Sequence, residues 1–105
     1  MARNEEAIDC YDRALQMNPH DELTLYNKGN SLAALGRFDE AIESYDRAIG
    51  ISPLYEDAWH NKGAALWHLA RFREALPCFE EAQRLGHPNA REAIAMCHEV
   101  LAEGR

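Results

Sequence analysis

Asn27-Lys28-Gly29-Asn30-Ser31-Leu32-Ala33-Ala34-Leu35-Gly36-Arg37-Phe38-Asp39-Glu40-Ala41-Ile42 is the stretch on which the fold turns, because most of its spacing occurs again in the chain. A shift of 34 residues carries Asn27, Lys28, Gly29, Leu32, Leu35, Arg37, Phe38, Glu40 and Ala41 onto Asn61, Lys62, Gly63, Leu66, Leu69, Arg71, Phe72, Glu74 and Ala75. The same shift backwards carries Glu40-Ala41-Ile42 and Tyr45-Asp46-Arg47-Ala48 onto Glu6-Ala7-Ile8 and Tyr11-Asp12-Arg13-Ala14, and Pro53 onto Pro19. A fixed period of this length is the mark of a repeat protein, in which each unit buries its apolar face on its neighbours.

Within the period the apolar residues fall at helical spacing, and about six helices follow. The first, about 4 to 17, turns Ala7, Ile8, Tyr11, Ala14 and Leu15 inward and ends at Asn18-Pro19. Asp21 is placed to cap the second, about 22 to 35, whose inward residues are Leu25, Lys28 by its stem, Gly29, Leu32 and Leu35. Gly36 supplies a left-handed residue to stop it. The third, about 38 to 51, buries Ala41, Ile42, Tyr45, Ala48 and Ile49. The fourth, about 57 to 69, repeats the second with Trp59, Gly63, Leu66 and Leu69 buried. The fifth runs from about 72 to 85 and contains Pro77, which predicts a kink or a late start. The sixth, about 89 to 103, opens on Asn89 with Glu92 at capping-box spacing.

The two glycines Gly29 and Gly63 stand where a partner helix crosses, and Ala41, Ala48, Ala75 and Ala82 read as the small residues facing them. Helices approach closely only where both faces are short.

Composition narrows the function. With 18 acidic against 11 basic residues the formal charge is -7, which argues against nucleic acid, whose phosphates need clustered Lys and Arg. The three cysteines, Cys10, Cys78 and Cys97, have no Cys-x-x-Cys spacing and point to thiols in a reducing compartment. Apolar runs are too short to span a bilayer, and Met1-Ala2-Arg3-Asn4-Glu5-Glu6 lacks a signal peptide's apolar core, so a cytoplasmic protein with no membrane partner is expected. The chain opens in mid-repeat, as a piece of a longer protein would.

A Gly followed three residues on by a large apolar residue, a Gly-x-Phe-x-x-Ala turn, an aromatic and an Ala on the next helix and a closing Pro resemble the tetratricopeptide repeat (TPR). The resemblance covers units 22–55 and 56–89 and the second helix of an upstream unit at 4–21, with 90–105 in the place of a capping helix, all in one domain, 1–105. It implies an all-α, right-handed superhelical solenoid of antiparallel helix pairs. The last unit departs from the pattern: Ala70 replaces the turn glycine, Pro88 comes one residue late and Cys97 takes the place of the crossing glycine.

By the same resemblance the first helices of successive units line a concave groove that binds an extended peptide or a partner's helix. The residues facing it are Tyr26, Asn27 and Asn30, then His60, Asn61, Trp67 and His68, and on the last helix Arg91, Ile94, Ala95, His98 and Leu101. Asn27 and Asn61 stand in register, and a row of amides can bond a peptide backbone whatever its side chains. The family's carboxylate clamp, which grips the acidic tail of heat-shock chaperones, is matched by Asn30, Asn61 and Arg91. Tyr26 and Ala95 stand where two of its basic residues belong. Trp67, whose counterpart in the other unit is the small Ala33, is either an interface anchor or a residue folded onto Ala70 and the last helix.

Catalysis and metal binding are not expected, and no cofactor is. His60 and His68 are two turns apart, about 12 Å by helical rise, too far to share an ion. No Ser-His-Asp order, phosphate loop or His-Glu-x-x-His is present. The sequence thus describes a non-catalytic protein-binding scaffold. The other reading is a structural segment of a longer superhelix, or one that self-associates head to tail through its terminal helices, where Ala7, Tyr11 and Ala14 at one end and Cys97 at the other face a missing neighbour.

Overall fold

A computed structural model describes residues 2–104, and these form six helices: α1 Ala2–Met17, α2 Glu22–Ala34, α3 Phe38–Ile51, α4 Glu56–His68, α5 Phe72–Arg84 and α6 Ala90–Ala102. Among the described residues there is no strand. The helices gather into two compact units, Met1–Pro53 and Leu54–Arg105. In the first, α2 packs against both α1 and α3; in the second, α5 packs against both α4 and α6.

Helix starts are set by two devices. Asp21 caps α2 as expected, its carboxylate accepting from the Thr24 N–H at 3.3 Å. At α3 and α5 the cap residues are Arg37 and Arg71, which make no side-chain cap bond. Each guanidinium instead forks onto the glutamate three residues on: Arg37 donates to Glu40 at 2.9 and 2.7 Å, and Arg71 to Glu74 at 2.9 and 2.6 Å. These bonds hold both carboxylates below their usual range. The capping box at Asn89 does not form. Asn89 has φ -99° and ψ -2°, makes no side-chain cap bond, and donates its backbone N–H to His87 Nδ1 at 3.1 Å.

Three helices end the same way. After α2, Gly36 takes φ +77°, its N–H donates to Ala33 O and the Arg37 N–H reaches Leu32 O, both at 2.9 Å. Gly86 at φ +97° does the same after α5, with Gln83 O and Ala82 O as acceptors. These are Schellman motifs, which satisfy otherwise orphaned helix carbonyls. After α4 the motif is intact although Ala70 holds the left-handed position, at φ +59°. Pro77 does not delay α5, which starts at Phe72; the proline lies exposed within the helix.

The core corrects the expected helix crossing. What faces each glycine most closely is an aromatic ring, not a small residue. A Cβ built on Gly29 would lie 2.5 Å from Tyr45 Cε1, and one on Gly63 would lie 2.8 Å from Phe79 Cε1. Ala41, Ala48, Ala75 and Ala82 are fully buried on the same helices as these rings, so they belong to the core while the ring is what meets each glycine first. Other inward residues divide by depth. Ile8, Leu15, Leu25, Leu32 and Leu66 are buried, whereas Ala7, Tyr11, Leu35, Ile42, Ile49, Trp59 and Leu69 are only partly covered and Ala14 is exposed. On α4 the buried positions missed in the sequence are Ala58 and Ala65, and on α2 and α3 they are Ser31 and Ser44.

Gly63→Ala pushes the Phe79 ring off its seat and lowers stability by about 1 to 3 kcal/mol in urea unfolding, despite alanine's better helix propensity. Pairing it with Phe79→Leu, which shortens the opposing side chain, gives a loss smaller than the sum of the two single changes. Ala70→Gly relieves a left-handed alanine and raises stability by about 1 kcal/mol; an unchanged or lower midpoint would show that the turn carries no strain.

Candidate functional site

In the first unit two of the expected site residues of α2, Tyr26 and Asn30, meet Tyr45. Its ring lies over Gly29, and Tyr26 packs against it with centroids 6.0 Å apart and planes at 46°. The Tyr45 hydroxyl donates to Asn30 Oδ1 at 2.6 Å. Tyr26 and Asn30 therefore support the α2–α3 crossing. Asn27 is half-buried on the same helix, and Lys28 pairs with Asp12 of α1 at 2.7 Å.

In the second unit His60, Trp67 and His68 of α4 line one pocket, which Ala64, Phe79 of α5 and Ala93 and Met96 of α6 complete. Its volume is about 170 Å³ and its lining is mostly apolar. Trp67 meets Phe72 edge to face, with centroids 4.7 Å apart and planes at 73°. That contact holds the indole from one side, and another part of Trp67 lies on the pocket with Ala93 and Met96 of α6. Asn61 and Arg91 are not among the lining side chains; Asn61 is half-buried and Arg91 exposed. The α6 face read from sequence as Arg91, Ile94, Ala95, His98 and Leu101 also differs from the pocket wall, which Ala93 and Met96 supply.

His60 carries the site's electrostatics. Its ring lies 5.1 Å from Phe79 and stacks on His87 at 4.1 Å with planes 7° apart. His60 Nε2 is buried and has no hydrogen-bond partner among the described residues. Burial, reinforced by the neighbouring His87 and opposed by Asp57, lowers its pKa from 6.5 to about 4. The ring is thus neutral at pH 7. His87, whose side chain is 9% exposed, accepts the Asn89 N–H at Nδ1 and places Nε2 3.1 Å from Asp57 Oδ1, so the proton sits on Nε2.

Sequence reasoning missed His87, Phe79, Ala93 and Met96. Phe79 was findable, since it follows Gly63 at the interval at which Tyr45 follows Gly29. His87 had no such signal, because it lies in the α5–α6 connection, where the repeat is least regular.

Outside this pocket little points to chemistry. Among the described residues no group of three or more His, Cys, Asp or Glu is placed to hold a metal ion. Cys97 is fully buried, and desolvation raises its thiol above the ordinary range. No described helix is long and apolar enough to cross a membrane.

Paired helices closed by glycine–aromatic crossings and recurring at a fixed interval define an all-α repeat solenoid. Models of the tetratricopeptide repeat match residues 1–56 and 56–85, and the chain belongs to the tetratricopeptide repeat family. Among solved structures, the first TPR of Spaghetti (RPAP3), bound to the HSP90 peptide SRMEEVD, is similar with a TM-score of 0.92 at 24% identity, over 96% of this chain and 82% of that one. The Sgt2 TPR domain of Aspergillus fumigatus gives 0.91 at 23% identity, over 98% and 71%. The second TPR domain of human RPAP3, in complex with the HSP70 peptide SGPTIEEVD, gives 0.86 at 24% identity, over 92% and 82%. No curated protein matches the chain in sequence.

Tyr45→Phe removes the bond to Asn30 while keeping the ring over Gly29. It costs about 0.5 to 1.5 kcal/mol in urea unfolding; no loss would mean that water replaces the hydroxyl at Asn30 without cost.

Proposed function

We propose that the chain is a non-catalytic protein-interaction module, and that its second unit receives one apolar side chain of a peptide or partner helix in the pocket between Trp67 and Met96. The pocket is the observation that carries this reading. At about 170 Å³ it is smaller than the few hundred Å³ of sites that hold drug-sized ligands, yet it is close to cavities that admit a benzene-sized group. A single leucine, methionine or phenylalanine side chain is the natural guest. Asn61 lies on the same helix face as Ala64 and His68, three and seven residues on, where its amide can bond the partner's backbone.

The partner's charge follows from the same residues. Two of the similar domains are bound to peptides ending in Glu-Glu-Val-Asp. This chain carries a net charge of -7, has Tyr26 and Ala95 in place of two clamp bases, and pairs Lys28 with Asp12. A segment with an apolar anchor and neutral or basic flanks suits it better than an acidic tail.

Selection from a displayed peptide library provides the test. Selected peptides share one large apolar residue without acidic enrichment, and Trp67→Ala weakens them about 30-fold or more, the loss of an interface hot spot. Peptides bound equally well by Trp67→Ala would remove the pocket from the interface. Enrichment of acidic C-termini would restore the clamp.

A further inference from the structure

We propose that His60 and His87 form a proton-operated latch on the pocket, so that acid loosens the start of α6 and releases the side chain held against Ala93 and Met96. This inference concerns regulation of the pocket assigned above and rests on that reading for its consequence, though the latch is observable without a partner.

The geometry of the α5–α6 connection carries it. His87 is tied to α5 by its own N–H, which donates to Ala82 O at 2.9 Å. It is tied to the residues leading into α6 by Nδ1, which accepts from the Asn89 N–H, and by its carbonyl, which accepts from the Ala90 N–H at 3.4 Å. Its ring reaches α4 through the stack on His60 and the bond to Asp57. One residue thereby links three helices at the place where α6 begins, its backbone holding α5 and its ring holding α4. Three residues beyond Ala90 comes Ala93, and then Met96, the α6 wall of the pocket.

The stack disfavours a proton on His60. The ring has Phe79 at its side, His87 on its face, and Ala64, Ala93 and Met96 sharing the pocket it lines. The titratable and charged groups facing it are Asp57 from α4 and His87 from the α5–α6 connection, with His68 of α4 about two turns further along the same pocket; α5 offers Phe79 and α6 offers Ala93 and Met96, none of which can accept a proton or balance a charge. Asp57 is half-exposed and already holds His87. An imidazolium at His60 would place a charge and an unmatched Nε2–H in this apolar stack, and it would repel its neighbour if His87 were also charged. The ring relieves this only by leaving the stack for water.

The direction with pH follows. In the unfolded chain His60 takes its proton near pH 6.5, and in the latched unit only near pH 4. The latch is therefore fully stable above about pH 6.5 and loses stability as pH falls towards about 4, with the opening constant rising up to about tenfold per pH unit in that window.

Nuclear magnetic resonance on the intact chain without a partner reads this directly. Between pH 7.5 and 3.5 the His60 ring signal titrates well below 6.5, and the Ala93 and Met96 methyl signals move with the same midpoint. In His60→Phe, which keeps an aromatic ring but no proton site, those methyls no longer respond between pH 6.5 and 4. Methyls that stay still while His60 titrates, or that respond unchanged in His60→Phe, overturn the latch. If His60→Phe does not fold, the coincidence or separation of the two midpoints in the unsubstituted chain decides the matter. A latch without any pocket-binding peptide at pH 7 would count against the interaction reading alone; a binding pocket whose affinity and methyls ignore His60 protonation would count against the latch alone.

Discussion

A ring seated on a glycine sets the helix separation in both units. Tyr45 lies where a Gly29 Cβ would be, and Phe79 where a Gly63 Cβ would be. Interiors are packed too densely for either ring to move aside at no cost, so the glycine, the aromatic and the interval between them are chosen together. The ring is not an isolated filler. In the first unit it also carries a hydroxyl, which Asn30 accepts, and a second ring, Tyr26, at its side.

The second unit keeps the seat and changes what surrounds it. In matching positions Phe79 replaces Tyr45, Ala64 replaces Asn30, His60 replaces Tyr26 and Trp67 replaces Ala33. Loss of the hydroxyl removes the need for an amide, and an alanine in the amide's place leaves room that a longer side chain would fill. The indole then walls the opening, held from behind by Phe72. An apolar pocket thus arises from changes that leave the glycine–aromatic crossing untouched.

This explains what the sequence disclosed and what it hid. The period, the helices and their glycine stops are legible because each is enforced by local backbone chemistry, and the alternation of apolar residues reports burial over whole turns. Even where the residue changes, as at Ala70, the same backbone motif is formed. The partner of each glycine was misread because small residues on the facing helix suggested close approach, whereas the space is occupied by a ring. Asn89 was misread because capping chemistry is conditional: a side chain from the preceding connection, His87, takes up its N–H. The site residues were half legible. Trp67, His60 and His68 stand out as departures from their counterparts, but Ala93 and Met96 enter only through the angle at which α6 docks, which no spacing within α6 reports.

His60 shows most sharply how such a departure acquires consequences. A tyrosine in its place, as Tyr26 is in the first unit, would keep its hydroxyl neutral across the physiological range. An imidazole of similar breadth stacks as well but carries a nitrogen that no described residue satisfies, and burial costs about 1 to 3 kcal/mol for such a group. The unit tolerates that cost because the neutral ring closes the apolar stack between α4, α5 and the connection to α6. The same unsatisfied nitrogen makes the closure depend on protonation, so the pocket's tightness and its sensitivity to acid have one physical origin.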